Sequence, residues 1–107
     1  MNYSVIILPE ARDDLFELYT YVARNDSVQK ADTLLKALEE KCDSLHTAPE
    51  RGNKVIELER VHAQGIREIH YKPYRTIFQV IDRKVFVHAI LDGRRELQEL
   101  LERRVLR

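Results

Sequence analysis

Apolar residues recur at helical spacing along the first half of the chain and at a spacing near two along much of the second. Those two periods separate amphipathic helices from strands. The chain opens on a short β-branched run within Tyr3 to Leu8, which predicts a strand. Pro9 closes it and suits the first turn of a helix, where Glu10, Asp13 and Asp14 meet the positive end of the helix dipole. Ala11, Leu15, Leu18, Tyr19 and Val22 then fall on one face, predicting a helix from Pro9 to Arg24. Asn25-Asp26-Ser27 interrupts the stripe and offers an N-cap. Ala31, Leu34, Leu35, Leu38, Cys42 and Leu45 form a second stripe that ends before Ala48-Pro49, so the two helices form an antiparallel hairpin.

After a turn at Glu50 to Asn53 the period shortens, with strands expected near Lys54 to Leu58, Ile66 to Tyr71, Tyr74 to Ile81 and Val85 to Leu91. Lys72-Pro73 and Asp82-Arg83 stand where tight connections are needed, making the last three strands an antiparallel meander. Asp92-Gly93 ends the final strand, and Leu97, Leu100 and Leu101 predict a C-terminal helix. The expected class is α+β, in the order β-α-α-β-β-β-β followed by a helix, with helices packed on an antiparallel sheet. In Tyr74 to Ile81 one face carries Tyr74, Thr76, Phe78 and Val80 and the other Arg75, Ile77, Gln79 and Ile81. Neither is purely polar, which places that strand centrally, with cover on both sides.

Composition adds bounds. The 107 residues make one domain spanning 1 to 107, and 44% apolar with 34% charged residues is a globular composition. The N-terminus holds only a short apolar run without a basic flank or small-residue cleavage site, so neither a signal peptide nor a membrane span is expected and the protein is expected to be cytoplasmic. Net charge is zero, yet residues 1–53 carry 6 basic against 10 acidic side chains and residues 54–107 carry 12 against 8. An anionic partner is therefore sought in the second half.

The three glycines, Gly52, Gly65 and Gly93, are too scattered for a phosphate loop. His46, His62, His70 and His88 do not fall at metal-ligand spacing, and lone Cys42 suits the core. No metal and no cofactor is expected, and neither Ser27 nor Ser44 lies in a nucleophile elbow. What remains is Arg67, Arg75, His88, Arg94 and Arg95. In a meander Arg67, Arg75 and the start of the last helix share one surface, where guanidinium groups grip phosphates bidentately. The same arginines equally serve as the wet face of a sheet, His88 as a hydrogen-bonded structural histidine, and Arg94-Arg95 as partners of Glu99 and Glu102.

Three stretches together carry a likeness: PEARDDLFELYTYVA after the opening strand, ALEEKCDSLHTAPERG in the second helix, and IREIHYKPYRTIFQVIDRKVFVHAILDGRREL. With its REI strand, its YRxxFxV strand and its VHAIxxGRREL ending, the chain resembles the RelE/ParE superfamily of toxins of type II toxin-antitoxin systems, known also as plasmid stabilisation proteins. The resemblance implies one of two activities. RelE-like members resemble ribosome-dependent, metal-independent mRNA endonucleases that use basic residues and commonly a C-terminal tyrosine. ParE-like members look like poisons of DNA gyrase.

Arg75 matches the arginine of the shared strand, and Arg94 and Arg95 match the basic residues after the last strand. Where the nuclease tyrosine would lie, this chain has Gln98, Leu100 and Leu101, and Arg67-Glu68-Ile69-His70 lacks the accompanying lysines. RNA cleavage by the 2′-hydroxyl needs a base and an acid as well as cations, and arginine supplies only the last. The resemblance thus implies a ParE-like gyrase poison whose target-binding residues are Arg75, Arg94 and Arg95. The alternative is an mRNA nuclease acting at the ribosome through Arg67, Arg75, His88, Arg94 and Arg95, with His88 or His70 as base. A second alternative is a non-toxic homologue that only binds an antitoxin. Each reading implies a hetero-oligomer in which the antitoxin lays a partly helical segment over a groove near Leu15, Leu18, Tyr19 and Val22, residues that equally suit the core.

Overall fold

A computed structural model describes residues 2–61 and 63–106. Strand β1 (Ser4–Ile7) leads into α1 (Pro9–Asn25) and α2 (Val28–Asp43), which form the expected hairpin. Pro9 starts α1 at its first turn, and the Ser27 hydroxyl caps α2 by accepting from Lys30 N at 3.1 Å. Three short 3-10 turns follow, at Ser44–His46, Pro49–Arg51 and Ile56–Leu58. Then come β2 (Ile66–Tyr71), β3 (Tyr74–Ile81), β4 (Lys84–Asp92) and α3 (Gln98–Val105). The sheet order is β1-β4-β3-β2. The β2–β3 connection crosses a cis Lys72–Pro73 bond, and the two-residue β3–β4 turn puts Asp82 at φ +56°, a region its short polar side chain tolerates.

Two expectations need correction. The strand near Lys54 to Leu58 does not form. Asn53 makes a single antiparallel bridge to Glu68, with two 2.8 Å backbone hydrogen bonds, and the chain then curls into the Ile56–Leu58 turn. Val55 and Leu58 are buried while Ile56 is 76% exposed. Buried positions three apart suit a 3-10 turn, where i and i+3 eclipse, and the alternation of a strand is absent. The sheet is also not wholly antiparallel: β1 pairs parallel with β4, Ser4 opposite Lys84 through Ile7 opposite Val87. The helical hairpin and the meander supply the long connection that a parallel pair requires.

Both faces of the sheet are covered, as the mixed pattern of Tyr74 to Ile81 implied. One core joins Ala11 and Leu15 of α1 and Leu38 and Cys42 of α2 to Phe78, Val85, Val87 and Ile90. The other joins Val55, Leu58, Leu97 and Leu101 to Ile77, Ala89 and Leu91. Strand β4 serves both because it carries a bulge. Ile77 faces Ala89 but Phe78 faces Val87, leaving His88 as the extra residue. An extra residue reverses the alternation of side chains. Val85 and Val87 therefore point toward the hairpin, and beyond the bulge Ile90 does so while Ala89 and Leu91 face α3. Burial pushes the Cys42 thiol up to about 12, with Asp43 and Glu39 adding to it, so this cysteine is an inert core residue.

Candidate functional site: an arginine held by two carboxylates

The β2–β3 register sorts the sheet arginines before any side-chain contact is considered. His70 lies opposite Arg75 and Glu68 opposite Ile77, whereas Arg67 lies opposite Phe78. Directly opposed residues share a face. Arg75 therefore projects with Glu68 and His70 onto the α3 side, and Arg67 projects with Phe78 onto the hairpin side. The expectation that Arg67 and Arg75 share one surface is overturned by this parity. Arg67 instead donates through Nη1 to the Gly52 carbonyl at 3.0 Å. Gly52 fits tightly there, since an added Cβ would come within 2.8 Å of Phe78 Cζ.

Arg75 is not a free cation. Its Nη1 and Nη2 each donate to one oxygen of Glu57 at 2.7 Å, while Nε and Nη2 donate to Glu68 at 2.6 and 3.1 Å. Four of the five N–H groups of a guanidinium are so occupied. The side chains are only 14% (Arg75), 19% (Glu57) and 6% (Glu68) exposed, so solvent screens the cluster poorly. The hydrogen bond from Arg75 holds the Glu57 carboxyl below its ordinary range, and the Glu57 bond raises the Arg75 pKa further. His70 Nε2 lies 2.8 Å from the same Glu68 oxygen that meets Arg75. Gly93 makes room for the arginine stem: an added Cβ would sit 2.7 Å from Arg75 Cδ.

His88 occupies the bulge, with Nε2 3.0 Å from the Gln79 side-chain oxygen. Burial, followed by the nearby charge of Arg104, lowers its pKa, so the neutral imidazole is favoured. Arg104 of α3 donates to the His88 carbonyl at 2.8 Å, and also to both oxygens of Asp14 at 2.8 and 3.0 Å. Asp14 additionally accepts from Ile90 N at 3.0 Å. That amide lies past the end of β1, so the Asp14 carboxylate takes over the pairing that the short strand leaves undone.

Arg94 and Arg95 precede α3, so they do not form helical pairs with Glu99 and Glu102. Arg94 chelates Asp92 through Nε and Nη2 at 3.0 and 2.7 Å yet remains 72% exposed. The Arg95 guanidinium is exposed and makes no hydrogen bond or salt bridge among the described residues. Arg75 and Arg94 line one concavity, of about 600 Å³, with Ile56, His70, Lys72, Tyr74 and Gly93 on its wall. Arg94 and Arg95 line a second, near Leu18 and Tyr21. Among the described residues no three His, Cys, Asp or Glu side chains are grouped to hold a metal ion, and no helix is long and apolar enough to cross a membrane.

On the hairpin, Leu15 is 8% exposed and belongs to the core, so it is withdrawn from the accessible set. Leu18, Tyr19 and Val22 are half-buried, Leu18 against the same core and Tyr19 donating its hydroxyl to Asp32 at 2.7 Å. The open apolar surface lies beside them, at Phe16 (71%) and Tyr21 (68%). Glu57, Glu68, Asp14 and Arg104 were the important residues that pattern reading missed. Asp14 did carry a signal, because it is an acid beside the apolar stripe of Ala11, Leu15 and Leu18, and a buried acid needs a partner.

The strand, helical hairpin, meander and terminal helix define a toxin-like α+β fold shared with three solved structures. The chromosomal ParDE toxin-antitoxin system of P. aeruginosa aligns with TM-score 0.67 and 18% identity over 82% of this chain and 92% of that one. The toxin-antitoxin complex RelBE2 of Mycobacterium tuberculosis gives 0.61 and 22% over 84% and 96%. A double arginine-to-alanine mutant of E. coli toxin RelE in the free state gives 0.63 and 18% over 99% and 96%. No curated protein matches the sequence. The sequence family described as the ParE toxin of type II toxin-antitoxin system, parDE, matches residues 5–97, and the chain belongs to that family.

Proposed function

We propose that this chain arrests growth by poisoning DNA gyrase and is neutralised by a cognate antitoxin. The observation that carries the choice over RNA cleavage is the state of Arg75. Its guanidinium is bound by Glu57 and Glu68, and the deeply buried Glu68 neutralises it whether or not Glu57 is in place, so it brings no net positive charge to a scissile phosphate. The two histidines that could act as base are engaged as well: His88 Nε2 lies 3.0 Å from the Gln79 side-chain oxygen, and His70, on the Arg75 face, has its Nε2 2.8 Å from Glu68. Target contact then falls to Arg94 and Arg95 after the end of β4, together with Arg75 in the concavity that it shares with Arg94. The antitoxin covers Phe16 and Tyr21 together with the half-buried Leu18, Tyr19 and Val22.

A short induction of the chain alone in bacteria tests this. Onset of a DNA-damage reporter while protein synthesis continues is the expected outcome. Immediate translational arrest without DNA damage would transfer the activity to mRNA, and no arrest at all would leave only antitoxin binding.

A further inference from the structure

The concavity beside Arg75 is open to solvent and lined by groups of both charges. Its wall carries Lys72, which makes no ion pair among the described residues, and Arg94, which is mostly exposed. Glu57 reaches into it from a short turn whose neighbours Val55 and Leu58 are anchored in the core and whose carbonyl accepts from Gln98 Nε2 at 2.7 Å. The backbone is thus anchored on either side of Glu57, whose carboxylate covers the outer, Nη1–Nη2 edge of the guanidinium. Glu68 is the more deeply buried carboxylate and stays as the permanent partner. Two carboxylates share one guanidinium here, so releasing one leaves a neutral Arg75–Glu68 pair in place of a cluster with surplus negative charge.

We propose that this concavity is a carboxylate-binding site that Glu57 fills from within, and that an acidic group of a partner protein takes its place on Arg75. A carboxylate is the fitting class because the present occupant is one, held fork against fork by Nη1 and Nη2. Lys72 and Arg94 supply the charge that draws a second anion to the rim. Glu57 is then an internal stand-in that keeps the arginine satisfied until the partner arrives. The partner's identity as the toxin's target rests on the function proposed above, but the site is tested in the purified chain, so failed rescue and failed toxicity are separate results.

Thermal unfolding of the full chain and of Glu57→Ala is followed while sodium acetate replaces sodium chloride at constant ionic strength. The expected result is a lowered Tm in the variant that recovers saturably with acetate, with no such response in the wild type or in Glu57→Ala/Arg75→Gln. An acetate response equal in all three chains overturns the site. A response to inorganic phosphate but not to acetate overturns the choice of a carboxylate. Should Glu57→Ala not fold, Glu57→Gln keeps the volume and replaces the carboxylate by an amide, and the same comparison decides.

Discussion

At the scale of single residues, charge parity governs what an arginine can do. The neighbours of Arg75 set its role, and the hydrogen bond from the arginine holds the Glu57 carboxyl below its ordinary range. Its folded pKa is depressed, so its contribution to stability is fully present above the ordinary glutamate value of 4.5 and is lost as pH falls through the folded value. Urea unfolding of wild type and Glu57→Gln between pH 7 and pH 2 checks this. The stability gap is expected to be constant above about pH 5 and to close on acidification. A gap independent of pH would remove the ionised Glu57 from the account. The Gly93 position bears on the same cluster. Gly93→Ala presses on Arg75 Cδ and on the Pro73 carbonyl, and a loss of about 1–3 kcal/mol is expected from such overpacking in denaturant titration.

At the scale of elements, the short C-terminal helix is held by buried leucines and by polar ties at both ends, Gln98 to the Glu57 carbonyl and Arg104 to Asp14, Glu10 and the His88 carbonyl. Leu97 and Leu101 bury their side chains, while Arg104 binds Asp14 of α1 and the His88 carbonyl of β4. Asp14→Ala removes the bidentate partner of a largely buried guanidinium, leaving it the more distant Glu10 at 3.4 Å, and frees the Ile90 amide, so a loss of about 3 kcal/mol is expected. The double variant Asp14→Leu/Arg104→Met, measured by the same urea titration, is expected to regain much of it, since neither member of the buried pair is then left without the other and Glu10 is part-exposed.

Most element boundaries were legible in the sequence. Pro9, Ser27 and the turn residues at Asp82 mark theirs through local backbone chemistry. The Lys54 to Leu58 segment misled because a short apolar run reads alike as strand or turn, and only packing places Val55 and Leu58 inward. The bulge at His88 left no composition signal, although it decides which core each β4 residue joins. The candidate site was legible in its residue types and illegible in its pairing. Glu57 and Arg75 meet through a turn that the sequence reads as a strand.

At the scale of the whole molecule, the fold brings the two unequally charged halves of the chain together. Arg94 and Arg95, from the basic half, line one concavity with Glu17, Leu18 and Tyr21 of α1, from the acidic half. Net charge is zero, so any steering of an acidic partner depends on such local clusters and not on the total. Charge reversal at two exposed positions distinguishes a surface that acts from one that merely solvates. Arg95→Glu changes an exposed side chain without an ion pair among the described residues, so its stability should stay within about 0.5 kcal/mol of wild type. Growth arrest on induction is nonetheless expected to be lost. Lys36→Glu, on the outer side of the hairpin, is expected to leave arrest unchanged, with Tm confirming that both variants fold. If the two variants behave alike, Arg95 does not hold the target, and the contact falls to the apolar hairpin surface at Phe16 and Tyr21.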